Sequence, residues 1–339
     1  MQSIQSTALE PTRSEIKELS LGRKIARFVP VYGLVILTVA LILIFSILLP
    51  NTFPTLLNLR SIVSNKAIIA LLSLAAMIPM AAGRIDLTIG YGIVLWHILA
   101  ISLQTMYGFP WPVAVLVVLA LGVICGFLNG LLVEVAKIDS FIATLGTGTV
   151  LYAIALWHTG GRQVVGVLPD GFYALNGTMI FGLPITGFYV LAIAALMYVV
   201  LEYLPIGRYV YAIGGNPDAA RLAGIKVWAV LIFVYGMSGL LAGLGGGMQA
   251  ARLYAANGLQ LGQSYELDAI TAVILGGTSF VGGIGSIWGT LVGALIIAVL
   301  SNGLILVGVS DIWQYVIKGL VIIGAVALDR YRLQGSART

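Results

Sequence analysis

Charge is what this chain has least of: Asp, Glu, Lys and Arg together make up 9% of its 339 residues. Water-soluble domains carry about 25%, so a globular, water-facing surface is excluded. Cys125 is the only cysteine. It rules out an intramolecular disulfide and reads as a small hydrophobe within an apolar run. The two histidines, His97 and His158, have no cysteine or carboxylate at metal-ligand spacing, so a satisfied or interfacial histidine is the favoured reading of each. No GxxxxGK[ST] run occurs, so the chain has no phosphate-cradling loop of its own. Carboxylates paired at mid-span are also missing, which argues against a proton or sodium relay.

Hydrophobicity is abundant instead. Apolar residues make up 60% of the chain and the mean hydropathy is +1.04, a balance that suits lipid as solvent. The 42 glycines suit closely packed membrane helices. The apolar runs predict an all-α, polytopic transmembrane bundle of about ten spans. These are Phe28–Leu49, Lys66–Ala82, Leu87–Leu103, Pro112–Val133, Phe141–His158, Gly187–Leu204, Val227–Ala250, Leu267–Phe280, Ile287–Val307 and Ile312–Leu328. Residues 28–328 form one membrane domain between polar tails, 1–27 and 329–339. The first apolar run is too long for a signal-peptide core and lacks a small-residue cleavage site, so it reads as a span.

Basic residues orient the threading. With both ends in the cytoplasm, thirteen of the eighteen Lys and Arg lie inside: Arg13, Lys17, Arg23, Lys24, Arg27, Arg84, Lys137, Arg208, Arg221, Lys226, Arg330, Arg332 and Arg338. Arg60, Lys66, Arg162 and Arg252 fall outside or at the outer edge, and Lys318 within the last span. The net charge of +5 therefore reads as topology rather than as a nucleic-acid surface. Asn129-Gly130-Leu131 precedes Asp139 much as Asn302-Gly303-Leu304 precedes Asp311. On this threading the two copies face opposite sides, so spans two to five and seven to ten are expected to be inverted repeats.

Glycines at GxxxGxxxG spacing, Gly122/Gly126/Gly130, Gly239/Gly243/Gly247 and Gly285/Gly289/Gly293, predict helix-packing stripes. The denser clusters Gly245-Gly246-Gly247 and Gly276-Gly277 through Gly282-Gly283 are candidate hinges or pathway linings, because adjacent glycines weaken a helix. Asp86 follows Arg84 at a helix break, where local pairing, capping or a gate role are open readings. Asp268, with Glu266, begins a span, where negative charge favours a helix N-terminus. With Asn302 they complete the pathway candidates. Asn129, Thr144, Thr147, Gln249, Thr271 and Gln314 add neutral hydrogen-bonding groups, so an uncharged solute is expected to cross.

The connector 205–226 reads PIGRYVYAIGGNPDAARLAGIK. Gly207 and Arg208 open it, Gly214-Gly215 predicts a turn, and Asn216 is a good N-cap. Pro217 and Asp218 suit the first helical turn. Ala219, Ala220 and Arg221 are helix formers, and Gly224, before Ile225, is the stop. A bare connector needs only a few residues. A short capped helix held outside the membrane predicts a docking surface, with Glu134–Ser140 the alternative place.

DAARLAGI is similar to the EAA---G pattern of ABC importer permeases, with Asp218 in place of Glu. The wider GRYVYAIGGNPDAARLAGI, GRIDLTIG at 83–90, YELDAITAVILGGTSFVGGIGSIWGTLVGA at 265–294 and GVSDIWQYVIKGLVIIGAVALD together resemble the ribose-type monosaccharide ABC permease family, from about residue 30 to 330. Arg84 departs from the small residue many members carry there. The resemblance implies a multi-pass permease subunit of a bacterial inner membrane, not an enzyme, moving a monosaccharide or polyol. It implies a dimer with a second copy or a sister permease, two cytoplasmic ATPase subunits and a periplasmic sugar-binding protein. ATP and Mg belong to the ATPase; no cofactor and no nucleic acid are expected on this chain. The competing readings are a branched-chain amino-acid-type ABC permease, an ion-coupled secondary transporter and a membrane-embedded enzyme.

Overall fold

The structure, a computed structural model, describes residues 33–257, 265–310, 312–321 and 323–324. The tails 1–27 and 329–339, the start of the first expected span, the end of the last one and Asp311 lie outside the described residues.

A helix overlaps each of the ten expected segments. In chain order the helices are α1 (Gly33–Leu48), α2 (Leu56–Ala81), α3 (Thr88–Thr105), α4 (Trp111–Glu134) and α5 (Ser140–Thr159). There follow α6 (Asp170–Gly177), α7 (Ile185–Tyr198) with a π-helical turn at Val199–Tyr203, α8 (Pro205–Gly215) and α9 (Pro217–Leu222). The chain continues with α10 (Val227–Leu253), α11 (Tyr265–Leu275), α12 (Ile287–Val307) and a helix α13 over 312–321. Seven of these, counting α7 with its π turn as one, are long and apolar enough to cross a membrane: α2, α3, α4, α5, α7, α10 and α12. The chain is thus an all-α polytopic membrane protein. Two small antiparallel pairs decorate it, β1 (Gln163–Val165) on β4 (Ala255–Asn257) and β2 (Met179–Ile180) on β3 (Leu183–Pro184).

Local sequence sets the ends of the helices. Thr55, Asp139, Asn216 and Ser286 each accept a backbone N–H with their side chains at the start of α2, α5, α9 and α12, which satisfies donors a helix leaves open. Gly160 and Gly308 stop α5 and α12 in the left-handed region, at φ 58° and 85°.

Two boundaries and one glycine cluster depart from expectation. Helix α2 starts at Leu56 rather than Lys66, since its polar first turns are satisfied by protein: the Asn58 Nδ2 donates to Phe53 O at 2.9 Å and the Arg60 Nε to Gly182 O at 2.7 Å. A hydropathy reading meets Asn58, Arg60, Ser61, Ser64 and Asn65 among the aliphatic residues there. Helix α10 runs unbroken through Gly245-Gly246-Gly247, so this cluster is not a hinge in this structure. A Cβ on Gly246 would lie 2.3 Å from the Cβ of Trp96; the glycine lets α3 lie against α10. Helix α11 ends at Leu275, short of the expected Phe280, and Gly277 turns the chain at φ 87°.

The core is built around α10, which packs on α2, α3 and α4. Two of the glycine stripes meet face to face. A Cβ on Gly126 would lie 2.1 Å from Tyr235 O, and one on Gly239 would lie 2.1 Å from Gly122 O, so backbone touches backbone where α4 crosses α10. The third stripe seats α12 on α11, where a Cβ on Gly293 would meet Ala272 O at 2.0 Å.

Candidate functional site

Three features stand out along the bundle, beginning at one end. There the connections 82–87, 135–139, 204–226 and 276–286 converge. The expected turn at Gly214-Gly215 is corrected: both residues close α8, an 11-residue helix that reading Gly-Gly as a breaker missed. Its start folds back under the π turn, where a Cβ on Gly207 would lie 1.9 Å from Leu201 O. Its end lies on bare backbone, since a Cβ on Gly214 would meet Ala81 O at 2.0 Å and Gly283 N at 2.4 Å. The Gly283 N–H itself donates to Ala81 O at 3.0 Å. Contact at this distance explains the glycine at 214.

Helix α9 projects beyond this seat. Asn216 Oδ1 accepts from the Asp218 and Ala219 N–H groups at 3.1 and 3.0 Å. Gly224 ends the turn at φ 84°, and the Ile225 N–H returns to Ala220 O at 3.1 Å. Arg221 bridges Asp218 at 2.9 Å and Glu134 at 3.0 Å, and Glu134 also holds Lys137 at 2.8 Å. Arg221 is therefore engaged within the chain, and Glu134, the last residue of α4, ties both candidate docking segments together. Arg208 lies on α8, and Leu222 at the tip of α9 is 90% exposed.

Deeper in the bundle, Asp86 is buried without a cation among the described residues. Arg84 is not its partner; that guanidinium reaches Gly83 O instead. Asp86 accepts from the Ser238 hydroxyl at 2.6 Å, the Thr88 N–H at 3.0 Å and the Thr88 hydroxyl. Asn129 Nδ2 in turn donates to Thr88 Oγ1 at 3.2 Å. Through these bonds the carboxylate ties the start of α3 to α10, and Thr88 ties it to α4. Replacing Ser238 by Ala leaves Asp86 Oδ2 without that donor. Leaving a buried acceptor unsatisfied costs about 1–3 kcal/mol, so Ser238→Ala is expected to destabilise by about 2 kcal/mol, read as a lowered melting temperature of the purified protein.

The third feature is a cavity of about 450 Å³ toward the opposite end. Residues from α2, α10, α11, α12 and α13 line it, among them Lys66, Arg252, Asp268, Asn302, Gln314 and Lys318. Lys318 Nζ donates to Asp268 Oδ2 at 2.7 Å. Arg252 is held by neutral groups, Asn65 Oδ1 at 2.9 Å and Gln249 Oε1 at 3.3 Å. Of the pathway candidates, Asp268 and Asn302 share this cavity. Gly276 lies apart, against Gly289 of α12, and Gly245 packs near Leu72 and Ile93. Sequence reasoning missed Lys66, Arg252 and Lys318 as lining residues. Each sits on a different helix, and the expectation of an uncharged pathway rested on counting charges span by span. Among the described residues, no group of three or more His, Cys, Asp or Glu could hold a metal ion.

A family model described as branched-chain amino acid transport system / permease component matches residues 58–326. The ribose import permease protein of Bacillus subtilis is 38% identical over 322 residues, 95% of this chain and 98% of the relative. That of Haemophilus influenzae is 36% identical over 311 residues, covering 91% and 95%. The galactose/methyl galactoside import permease protein of Escherichia coli is 34% identical over 315 residues, covering 87% and 92%. No solved structure matches the chain. With a match running through almost all of its helices, the chain belongs to the branched-chain amino acid transport system / permease component family.

Proposed function

We propose that this chain is the membrane-spanning permease subunit of an ATP-driven ABC importer for a monosaccharide or related polyol. The observation that carries this reading is 38% identity to a ribose import permease along 95% of the chain. Although the family description speaks of amino acids, the ribose and galactose permeases among its relatives favour sugar over the amino-acid reading. The subunit does not hydrolyse ATP; a cytoplasmic ATPase does so, with its own ATP and Mg. A periplasmic binding protein delivers the solute, and a second copy or sister permease completes the pathway in a bacterial inner membrane.

The chain crosses ten times, both ends cytoplasmic, with α8 and α9 as the seat of the ATPase. A rigid, capped α9 with an exposed Leu222 at its tip supports this role. Packing supports an inverted repeat. Pairing α2 with α10, α3 with α11 and α4 with α12 maps the contact α4–α10 onto α12–α2, α3–α10 onto α11–α2, and α3–α4 onto α11–α12. The same pairing sets Asp86 and Asn129 near one end against Asp268 and Asn302 toward the other.

The test is reconstitution. Alone in liposomes, the chain is expected to show no ATPase activity and no concentrative uptake. With its ATPase and binding protein, it should concentrate a sugar on adding ATP. Uphill uptake driven by a proton or sodium gradient without the ATPase, or competition by zwitterionic amino acids alone, would remove the reading.

A further inference from the structure

The polar cavity carries three cations, Lys66, Arg252 and Lys318, against one carboxylate, Asp268, among its described lining residues. Two of the cations are accounted for: Lys318 pairs with Asp268, and the guanidinium of Arg252 lies on two amide oxygens. Lys66 is different. It lies on α2, partly buried, with no hydrogen bond or ion pair to any described residue. Burying an ammonium is costly unless its charge is balanced, and Asp268, the one carboxylate within its electrostatic reach, is already bonded to Lys318; the side chain borders a hollow large enough for a solute. Asn302 lines the same hollow, and its amide oxygen is buried with no hydrogen-bond partner. The volume falls within the range of about 300–1,000 Å³ usual for small-molecule sites.

We propose that this cavity binds a carboxylate carried on a polyhydroxylated chain, an aldonate or uronate, with Lys66 as its counter-ion and Asn302 accepting from a hydroxyl. The inference rests on the sugar-importer reading and narrows the monosaccharide it carries to an acidic one. One unpartnered ammonium matches one negative charge. A phosphate dianion would call for a second free cation or a free guanidinium fork, and Lys318 and Arg252 are both already hydrogen-bonded. Asp268 lies within electrostatic reach of Lys66 but is hydrogen-bonded to Lys318, so one carboxylate faces three cations and the cavity keeps a net positive charge.

The experiment uses cells expressing the complete transporter with its binding protein. Uptake of labelled gluconate and galacturonate is compared with that of ribose and galactose, in the wild type and in Lys66→Gln and Lys66→Arg, at matched membrane abundance. The wild type is expected to prefer the acids. Lys66→Gln is expected to lower acid uptake about tenfold or more, since each 1.4 kcal/mol is a factor of ten, whereas Lys66→Arg retains it. The wild-type preference does not depend on any variant folding. Uptake of neutral sugars in preference to the acids, or acid uptake unchanged in Lys66→Gln, overturns the inference and leaves the sugar importer standing. Uptake of amino acids alone overturns both.

Discussion

Lys318→Met is expected to lower stability by about 3 kcal/mol, because it leaves the Asp268 carboxylate in place without its cation. Asp268 is 5% and Lys318 18% exposed by side chain, with 2.7 Å between Nζ and Oδ2. Breaking a buried pair by removing one partner costs about 3–5 kcal/mol. The adjoining cavity admits water to the lysine side, which puts the expected loss at the low end. Removing both charges has a different sign logic. Asp268→Leu combined with Lys318→Met deletes two desolvation costs along with their attraction, so the double variant is expected to recover most of the stability lost by Lys318→Met. Thermal unfolding of the four proteins in detergent forms a double-mutant cycle. A double variant no more stable than Lys318→Met would mean that the contact is incidental and that each side chain acts through other neighbours.

Gly214→Val is expected to abolish transport. Its Cβ would fall 2.0 Å from Ala81 O and 2.4 Å from Gly283 N, and those atoms are backbone held by their own hydrogen bond, so neither can swing aside. Overpacking of this kind costs about 1–3 kcal/mol, and the cheapest relief is for α8 to lift from α2 and the 276–286 connection. Membrane insertion, set by the apolar spans, is expected to persist. ATPase co-purification and sugar uptake are both expected to fall to background. Gly215→Ala supplies the control, because nothing lies within 4 Å of a Cβ there and φ is not positive. Equal loss in both variants would show that glycine matters here for flexibility rather than for close approach. Normal ATPase binding by Gly214→Val would move the docking surface elsewhere.

Two misread glycine runs share one cause. Gly214-Gly215 and Gly245-Gly246-Gly247 look like breakers because glycine lowers helix propensity. Both α8 and α10 stay helical, and at Gly214 and Gly246 a neighbouring segment occupies the space of the missing side chain. The reading of Gly122/Gly126/Gly130 as a packing stripe was legible because its spacing matches one face of a helix. Its partner stripe was equally visible, but which stripe meets which was not, since spacing says nothing of the opposing helix.

The solvent, the existence of the helices and the capped form of α9 were determined by the sequence alone, because hydropathy, N-caps and glycine stops act within a few residues of themselves. Family membership was equally legible, since the motifs that carry it are contiguous. Tertiary structure alone decided that Lys66, Asp268, Asn302 and Lys318 border one cavity, and that Asp86 faces Ser238 rather than Arg84. Lys66 and Lys318 lie on helices at opposite ends of the chain, so each reads by itself as an edge or snorkelling lysine. Only the packing of α2, α10, α11, α12 and α13 around one hollow brings them together, because an ionic partner is chosen by distance in space.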